Sequence, residues 1–400
     1  MQKVRGFYDL IGEEAEKYRF ISDAARGVLN LYNFEEIILP VVEFRELFER
    51  SVGEATDIVQ KEMFSFEDRK GRKLVLRPEG TASAVRAFIE NKLYAQRPYV
   101  KLFYEGPMFR YERPQAGRRR QFHQIGAEVF GEERPHADAE LIKTAYDVLN
   151  RLGVKTTLEI NSLGCKEDRK AYAEALRTYL KEKESELCPD CLRRKERNPL
   201  RVLDCKNESC KQATRDAPLI TDYLCTDCRE HYETVKNYLK ALGVPFVENP
   251  RLVRGLDYYT RTVFEFTSDE LGLTVCAGGR YDHLVEELGG PPTPALGFAL
   301  GVERLMQLVK LPEKEKDVYF VVPFGDKEVF TYALKVADAL RREGKRVELS
   351  YRKGGLKKQL EFADRMGYRY AVIVGEDELK EGLVTLKDLK TGEQRKVKVI

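Results

Sequence analysis

The sequence predicts an α+β chain in two parts, a strand-rich body interrupted by a helical, cysteine-rich stretch and then a small α/β tail. Three observations carry this. Strand-patterned runs come in hairpin pairs, as in "EMFSFEDRKGRKLVLRP" and across residues 99 to 130. From about Cys165 to Leu242 the pattern changes to charged helices holding seven of the eight cysteines, and strand patterning resumes at 246. Beyond "KLPEKEKD" at 310 to 317, strands alternate with helices.

Composition bounds the function classes. Four hundred residues, 42% hydrophobic and 34% charged, can bury cores in two or three domains, which excludes a disordered tail. No stretch approaches the roughly 18 apolar residues of a membrane span. The opening "MQKVRGFYDLIGEEAEKYRF" is too charged for a signal peptide, so a cytoplasmic location is expected. A net charge of +3 argues against indiscriminate coating of nucleic acid while permitting a local basic patch. Abundant Lys, Arg and Glu with no Trp suggests heat adaptation, which a melting temperature in the ordinary mesophile range would contradict.

Taken in order, residues 14 to 31 have apolar side chains at helical spacing. "FEEIILPVVEF" follows as an edge or interface strand, because Pro40 cannot donate to a central ladder. The two runs around Asp68-Arg69-Lys70-Gly71 make a hairpin. In "RPEGTASAVRAFIENKL", Thr81 stands where a helix N-cap belongs, with Glu79 facing the dipole. Residues 99 to 130 are two long strands around a basic loop that carries Arg113 and Arg118 to Arg120. A helix over about 137 to 152 and the strand "KTTLEINSLG" precede the cysteine-rich insertion. "GLTVCAGGRYDHLVEELGG" and "PALGFALGVERLMQLV" each predict strand, glycine turn and helix. In the tail, "VYFVVPF", a helix over 326 to 343, "RVELSY", a helix over 356 to 366, "YAVIVG" and a terminal hairpin alternate. Residues 317 to 400 hold 18 Lys and Arg against 14 Asp and Glu, a modest basic excess.

Several residues are candidates for chemistry. Arg110 and Glu112 alternate on the first long strand and so share a face, where an arginine serves either an anion or its own glutamate. On the return strand, Gln124, Gly126 and Glu128 also share a face, which suits the floor of a polar ligand site or a solvated sheet. Arg304 in "GFALGVER" follows a glycine-rich entry to a helix, a weak phosphate signal. Neither a P-loop nor a dinucleotide fingerprint occurs. Cys188 and Cys191, with Cys225 and Cys228, form two C-x-x-C knuckles that would supply four ligands to a zinc ion. Cys205 and Cys210 are alternates for either pair, and reduced, unliganded thiols are the competing reading. The four histidines show no metal spacing.

Together these motifs resemble the histidyl-tRNA synthetase family of class II aminoacyl-tRNA synthetases. "FRYERP" with its loop and return strand is similar to motif 2, "GFALGVER" to motif 3, and the first helix with "IILPVVEF" to motif 1. "RPEGTA", "QFHQIGAEVFG", "LVRGLDYYTRTVFEF" and "CAGGRYDHLV" resemble the histidine-specific members. The resemblance implies a seven-stranded antiparallel catalytic core over 1 to 312 with the helical insertion at 165 to 242, and an α/β anticodon-binding domain over 313 to 400.

It also implies an enzyme that joins L-histidine to ATP as histidyl-adenylate and then charges the 3′ end of tRNA(His). The family places Arg254 and Arg110 at the α-phosphate as catalytic residues. It places ATP against Arg110, Glu112 and Arg304, with Mg²⁺ bridging phosphates. Histidine would meet Glu79, Thr81, Gln124, Glu128, Tyr258 and Tyr259, and the tRNA acceptor end would meet Arg118, Arg119 and Arg120. A homodimer through motif 1 is implied as well. Two rival readings are the synthetase-like regulatory subunit of ATP phosphoribosyltransferase and a zinc-stabilised RNA-binding scaffold. The first lacks the anticodon domain and the catalytic arginine; the second leaves "RGLDYY" and "RPEGT" without a purpose.

Overall fold

The computed structural model describes residues 1–53, 56–115, 117–312, 317–352 and 354–399. They separate into two compact units, Met1–Leu311 and Pro312–Ile400. Four residues of the expected linker, 313 to 316, lie outside the described ones.

The first unit opens with the helix Glu13–Leu31, which buries Ile21, Ala25, Val28 and Leu29 along one stripe. Its strands, numbered along the chain, are β1 (Glu35–Glu36), β2 (Val42–Phe44), β3 (Phe64–Glu67), β4 (Lys73–Leu76), β5 (Val100–Phe109), β6 (Gln121–Phe130), β7 (Thr156–Ser162), β8 (Val247–Glu248), β9 (Thr260–Ser268), β10 (Thr274–Arg280) and β11 (Ala295–Gly301). Eight of them form one sheet in the order β1-β5-β6-β11-β10-β9-β7-β8, and β2-β4-β3 form a small second sheet.

The large sheet departs from the seven antiparallel strands implied by the resemblance. Its six inner strands are antiparallel, while the two-residue edges β1 and β8 run parallel to β5 and β7. A parallel neighbour needs a long crossover. Residues 37 to 99 supply one and the insertion supplies the other. The strand expected through "FEEIILPVVEF" is broken: ladder pairing stops at Glu36 and resumes at Val42. Pro40 lies in the gap, where it has no N–H to offer. Its carbonyl and that of Leu39 instead accept from Nη1 of the buried Arg77, at 3.3 and 3.0 Å.

The pleat of β6 divides the two faces of the sheet. Ile125, Ala127 and Val129 enter a core with the helices Glu13–Leu31, Pro135–Arg151 and Thr226–Ala241. Gln124, Gly126 and Glu128 point to the opposite face, where the helix Thr81–Glu90 and the insertion pack. The insertion contains the helices Lys166–Lys181, Pro189–Arg197, Glu208–Ala213 and Thr226–Ala241. Its last helix is tied to the body by His231, whose Nε2 lies 3.2 Å from Asp138, itself paired at 2.6 Å with the fully buried Arg280 of β10.

The second unit is an α/β sandwich. Its five strands are β12 (Val318–Phe324), β13 (Arg346–Leu349), β14 (Tyr370–Gly375), β15 (Val384–Asp388) and β16 (Gln394–Val397), in the order β13-β12-β14-β15-β16. The first three are parallel and the terminal hairpin is antiparallel. The helix Lys327–Arg342 covers one face through Val329, Ala333, Val336 and Ala337. Leu356–Arg365 covers the other through Ala363, against Phe320 and Val322.

Candidate active site

A cleft of about 240 Å³ opens on the face of the large sheet that carries Gln124. Its floor exists because glycines stand where side chains would obstruct it. Tyr104 of β5 lies opposite Gly126 of β6. A Cβ on Gly126 or on Gly80 would come within 2.2 Å of the Tyr104 ring, so two bare backbones form the slot that holds it. A Cβ on Gly297 would fall 1.7 Å from Glu128 Oε2. Gly297, with Gly278 and Gly279, corrects the expected glycine turns: β11 and β10 continue through them. What sets those positions is the neighbour across the sheet.

One end of the cleft is built from carboxylates and phenols. Glu79 accepts from the backbone N–H of Thr81 at 2.7 Å and of Ala82 at 2.9 Å. Glu79 therefore caps the helix, and Thr81, expected as the cap, is its first residue. Freed from capping, the Thr81 hydroxyl donates to Glu128 Oε1 at 2.8 Å. Tyr104 donates to the same oxygen at 3.0 Å, and Tyr281 donates to Oε2. Glu128 has no exposed surface and underlies the floor. Burial raises its pKa to about 8 against the pull of these hydroxyls. Glu79, also buried, is raised in the same direction for the same cause. Tyr258 and Tyr259 line the wall with ring centroids 4.8 Å apart, and Tyr281 stands edge-on to Tyr258 at 5.5 Å. Gln124 Oε1 is buried there with no partner.

The other end is cationic. Arg110, Arg118, Arg119, Arg254 and Arg304 all line it, together with the carboxylates Glu112 and Glu303. Arg110 is held by Nε to the Pro78 carbonyl at 2.9 Å and lies over the Phe122 ring at 5.2 Å. Arg304 donates to the Thr274 carbonyl at 2.5 Å. Its pKa is pushed down by burial first, then by the cations of Arg118, Arg110 and Arg254. Arg254 is ion-paired with Glu265, yet its Nε is buried without a partner. Guanidiniums crowded against one another in a partly dry cleft call for a polyanion.

Most of the expected site residues therefore meet in one cleft, with some changes of place. β5 ends at Phe109, so Arg110 and Glu112 lie beyond the strand and do not alternate on it. Glu112 is 3.5 Å from Arg118 and not paired with Arg110. Arg120 does not line the cleft and lies over the Tyr111 ring at 3.7 Å. Tyr104 and Tyr281 are site residues that the sequence did not single out, since an aromatic on a strand or just past its end looks like ordinary core. The two knuckles also do not meet each other. Cys188 and Cys191 gather with Cys205 and Cys210, while Cys225 and Cys228 gather with Cys165 and Asp168.

An antiparallel sheet whose long hairpin carries a basic loop across a cleft, with a strand-to-helix arginine opposite, is the core of the class II aminoacyl-tRNA synthetases. A family model described as Histidyl-tRNA synthetase matches residues 6–305, and one described as Anticodon binding domain matches 318–400. The chain is 72% identical to a histidine--tRNA ligase of Aquifex aeolicus, covering all of this chain and 99% of that one. It is 50% identical to a histidine--tRNA ligase of Thermodesulfovibrio yellowstonii, covering 98% and 94%. The crystal structure of apo S. aureus histidyl-tRNA synthetase superposes with a TM-score of 0.82 at 36% identity, over 100% of this chain and 97% of that one. The chain belongs to the histidyl-tRNA synthetase family.

Proposed function

We propose that the chain is a ligase that activates L-histidine with ATP to histidyl-adenylate and pyrophosphate, then passes the histidyl group to the 3′ end of tRNA(His) with release of AMP. One observation carries this reading: a single cleft has guanidiniums massed at one end and a carboxylate–phenol cage at the other.

The substrate carboxylate is itself the nucleophile. Its oxygen bonds to the α-phosphorus as the bond to the bridging oxygen of pyrophosphate breaks, so the protein must position the reactants and neutralise charge. Arg110 and Arg254 serve the α-phosphate, and Arg304 the γ-phosphate. Glu112 lines the cationic end and would help hold a Mg²⁺ ion, which would offset phosphate charge.

Glu79 and the lone pairs of the Thr81 hydroxyl receive the α-ammonium, and Gln124 turns toward the substrate carboxylate. The Glu128 carboxyl, held by the hydroxyls of Thr81, Tyr104 and Tyr281, underlies the ring and bonds one imidazole nitrogen. Tyr258 and Tyr259 bracket the ring and bond its other nitrogen. Arg118, Arg119 and Arg120 of the hairpin loop meet the acceptor end of the tRNA, and the unit Pro312–Ile400 reads its anticodon. Leu31, Ile38, Val42 and Phe44 are exposed on the segment similar to motif 1, which supports a homodimer through that surface. No helix among the described residues is long and apolar enough to cross a membrane, in keeping with a cytoplasmic enzyme.

The test is exchange of labelled pyrophosphate into ATP with each amino acid in turn. Exchange with histidine alone is expected. Exchange with another amino acid, or with none in protein that binds histidine, overturns the reading.

A further inference from the structure

All seven cysteines of the insertion fall into two clusters, and neither is the four-cysteine set that the two knuckles alone suggest. In the first, the sulfurs of Cys188, Cys191, Cys205 and Cys210 all lie within 4.8 Å of one another. Cys188 Sγ is 3.9 Å from Cys205 Sγ, and the Cys188 N–H points at Cys210 Sγ at 3.1 Å. Thiolates about 2.3 Å from one zinc ion in a tetrahedron are about 3.8 Å apart, whereas a disulfide requires about 2.05 Å. The spacing is that of ligands around an ion.

Local structure supports the same conclusion. Cys188 is the N-cap of the helix Pro189–Arg197 and Cys191 sits in its first turn, so the knuckle aims both sulfurs past one helix end. That helix buries only Cys191 and Lys195. Next to it, Cys210 is one of two buried residues in the helix Glu208–Ala213. So little apolar burial does not hold two short helices in place, and small elements of this kind are ordinarily secured by a staple.

The second cluster joins two different helix ends. Cys165 is the N-cap of Lys166–Lys181 and Cys225 the N-cap of Thr226–Ala241, with Asp168 and Cys228 in their first turns. The ligand atoms of these four residues again lie within 4.8 Å of one another. Asp168 accepts from the Cys225 N–H at 3.0 Å and the Cys165 N–H at 3.3 Å. Those bonds orient the carboxylate and leave it lone pairs to give, as a metal-bound carboxylate needs.

We infer that the insertion holds two structural zinc ions, one on Cys188, Cys191, Cys205 and Cys210 and one on Cys165, Asp168, Cys225 and Cys228. None of the eight ligands lines the cleft. The ions instead secure elements that grip the loop bearing Arg254, Tyr258 and Tyr259. Next to the first cluster, Asn198 Nδ2 donates to Asp257 Oδ1 at 2.9 Å and Arg201 Nη2 to the same oxygen at 3.0 Å. Next to the second, Arg169 Nη1 donates to the Tyr259 carbonyl at 2.7 Å.

The test is metal analysis of the full chain purified without chelator, independent of whether it charges tRNA. Two zinc ions per chain are expected. Cys191→Ser should lose one and keep the other, and Cys228→Ser should do the converse. Replacement of zinc by Co²⁺ in the unmutated chain should give the visible bands of tetrahedral cobalt–thiolate at two equivalents, a readout that survives if either variant fails to fold. One ion per chain that persists in Cys228→Ser overturns the second site. One ion that vanishes in both variants means that the knuckles share a site, which overturns the two-site assignment. A metal-free chain that takes up no cobalt overturns both.

Discussion

At the scale of single residues, the cleft is a set of groups held in states they would not choose in water. Arg254 is the sharpest case: its Nε is buried without a partner while its Nη1 engages Glu265. An unsatisfied buried donor is costly, and a phosphate oxygen would remove that cost. Arg254→Ala should therefore slow histidine-dependent pyrophosphate exchange by about 10²- to 10³-fold, the usual loss for one preorganised charge stabiliser, with histidine binding retained by calorimetry. Near-full exchange would end the assignment. Glu128 gives a prediction in pH. Its folded pKa of about 8 lies above the unfolded value of ~4.3, so the folded state holds the proton more tightly. The stability this confers is present below the unfolded pKa and is lost as pH rises through 8. Glu128→Gln removes the titration. From pH 5 to pH 8.5 the difference in unfolding free energy should move toward the variant, on the order of 4 kcal/mol by linkage, as read from denaturant melts at the two pH values. A difference independent of pH would mean that Glu128 ionises as an ordinary carboxylate. The same variant should raise the KM for histidine several-fold, the range for one neutral hydrogen bond.

At the scale of elements, the loop Arg254–Tyr259 is positioned from outside by the insertion. Arg169 lies within hydrogen-bonding distance of the carbonyls of Asp257 at 3.4 Å and Tyr259 at 2.7 Å. Arg169→Met keeps the packing volume and removes the donors. It should raise the KM for histidine about tenfold, on the scale of one charged hydrogen bond, while the melting temperature moves little. A lowered melting temperature with unchanged KM would make the contact merely structural. This element also shows where sequence reasoning reaches its end. The hairpin of β5 and β6 is legible because alternation is local, and so is the shared face of Gln124 and Glu128. The end of β5 at Phe109 is not, since Arg110 continues the pattern but its guanidinium is drawn to the Pro78 carbonyl. Gly278, Gly279 and Gly297 look like turns because the crowding they relieve comes from strands and side chains remote in sequence. The cysteines carry the same lesson: a knuckle's spacing is readable, but its partner is decided by which helix ends the tertiary fold brings together. Arg280 and Asp138, 142 residues apart, form a buried ion pair that no local pattern announces.

At the scale of the whole molecule, chemistry and recognition are assigned to different units. Every residue of the cleft comes from Met1–Leu311. Pro312–Ile400 closes its own cores, one beneath each face of its sheet, and matches the anticodon-binding model. Amino-acid activation needs only small molecules, so it should not depend on the second unit. Charging needs a tRNA held at two places, and the second contact raises the effective concentration of the first by roughly 10²- to 10⁴-fold when both can engage. A chain ending at Leu311 should then keep histidine-dependent pyrophosphate exchange within a few-fold of the full chain. Its kcat/KM for tRNA(His) aminoacylation should fall at least on the order of 10²-fold, chiefly through KM for tRNA. The two assays separate the possibilities cleanly. Loss of exchange in a truncated chain that melts cooperatively would mean that the second unit completes the cleft. Retention of both activities would mean that the acceptor end alone, through the loop bearing Arg118 and Arg119, supplies the affinity for tRNA.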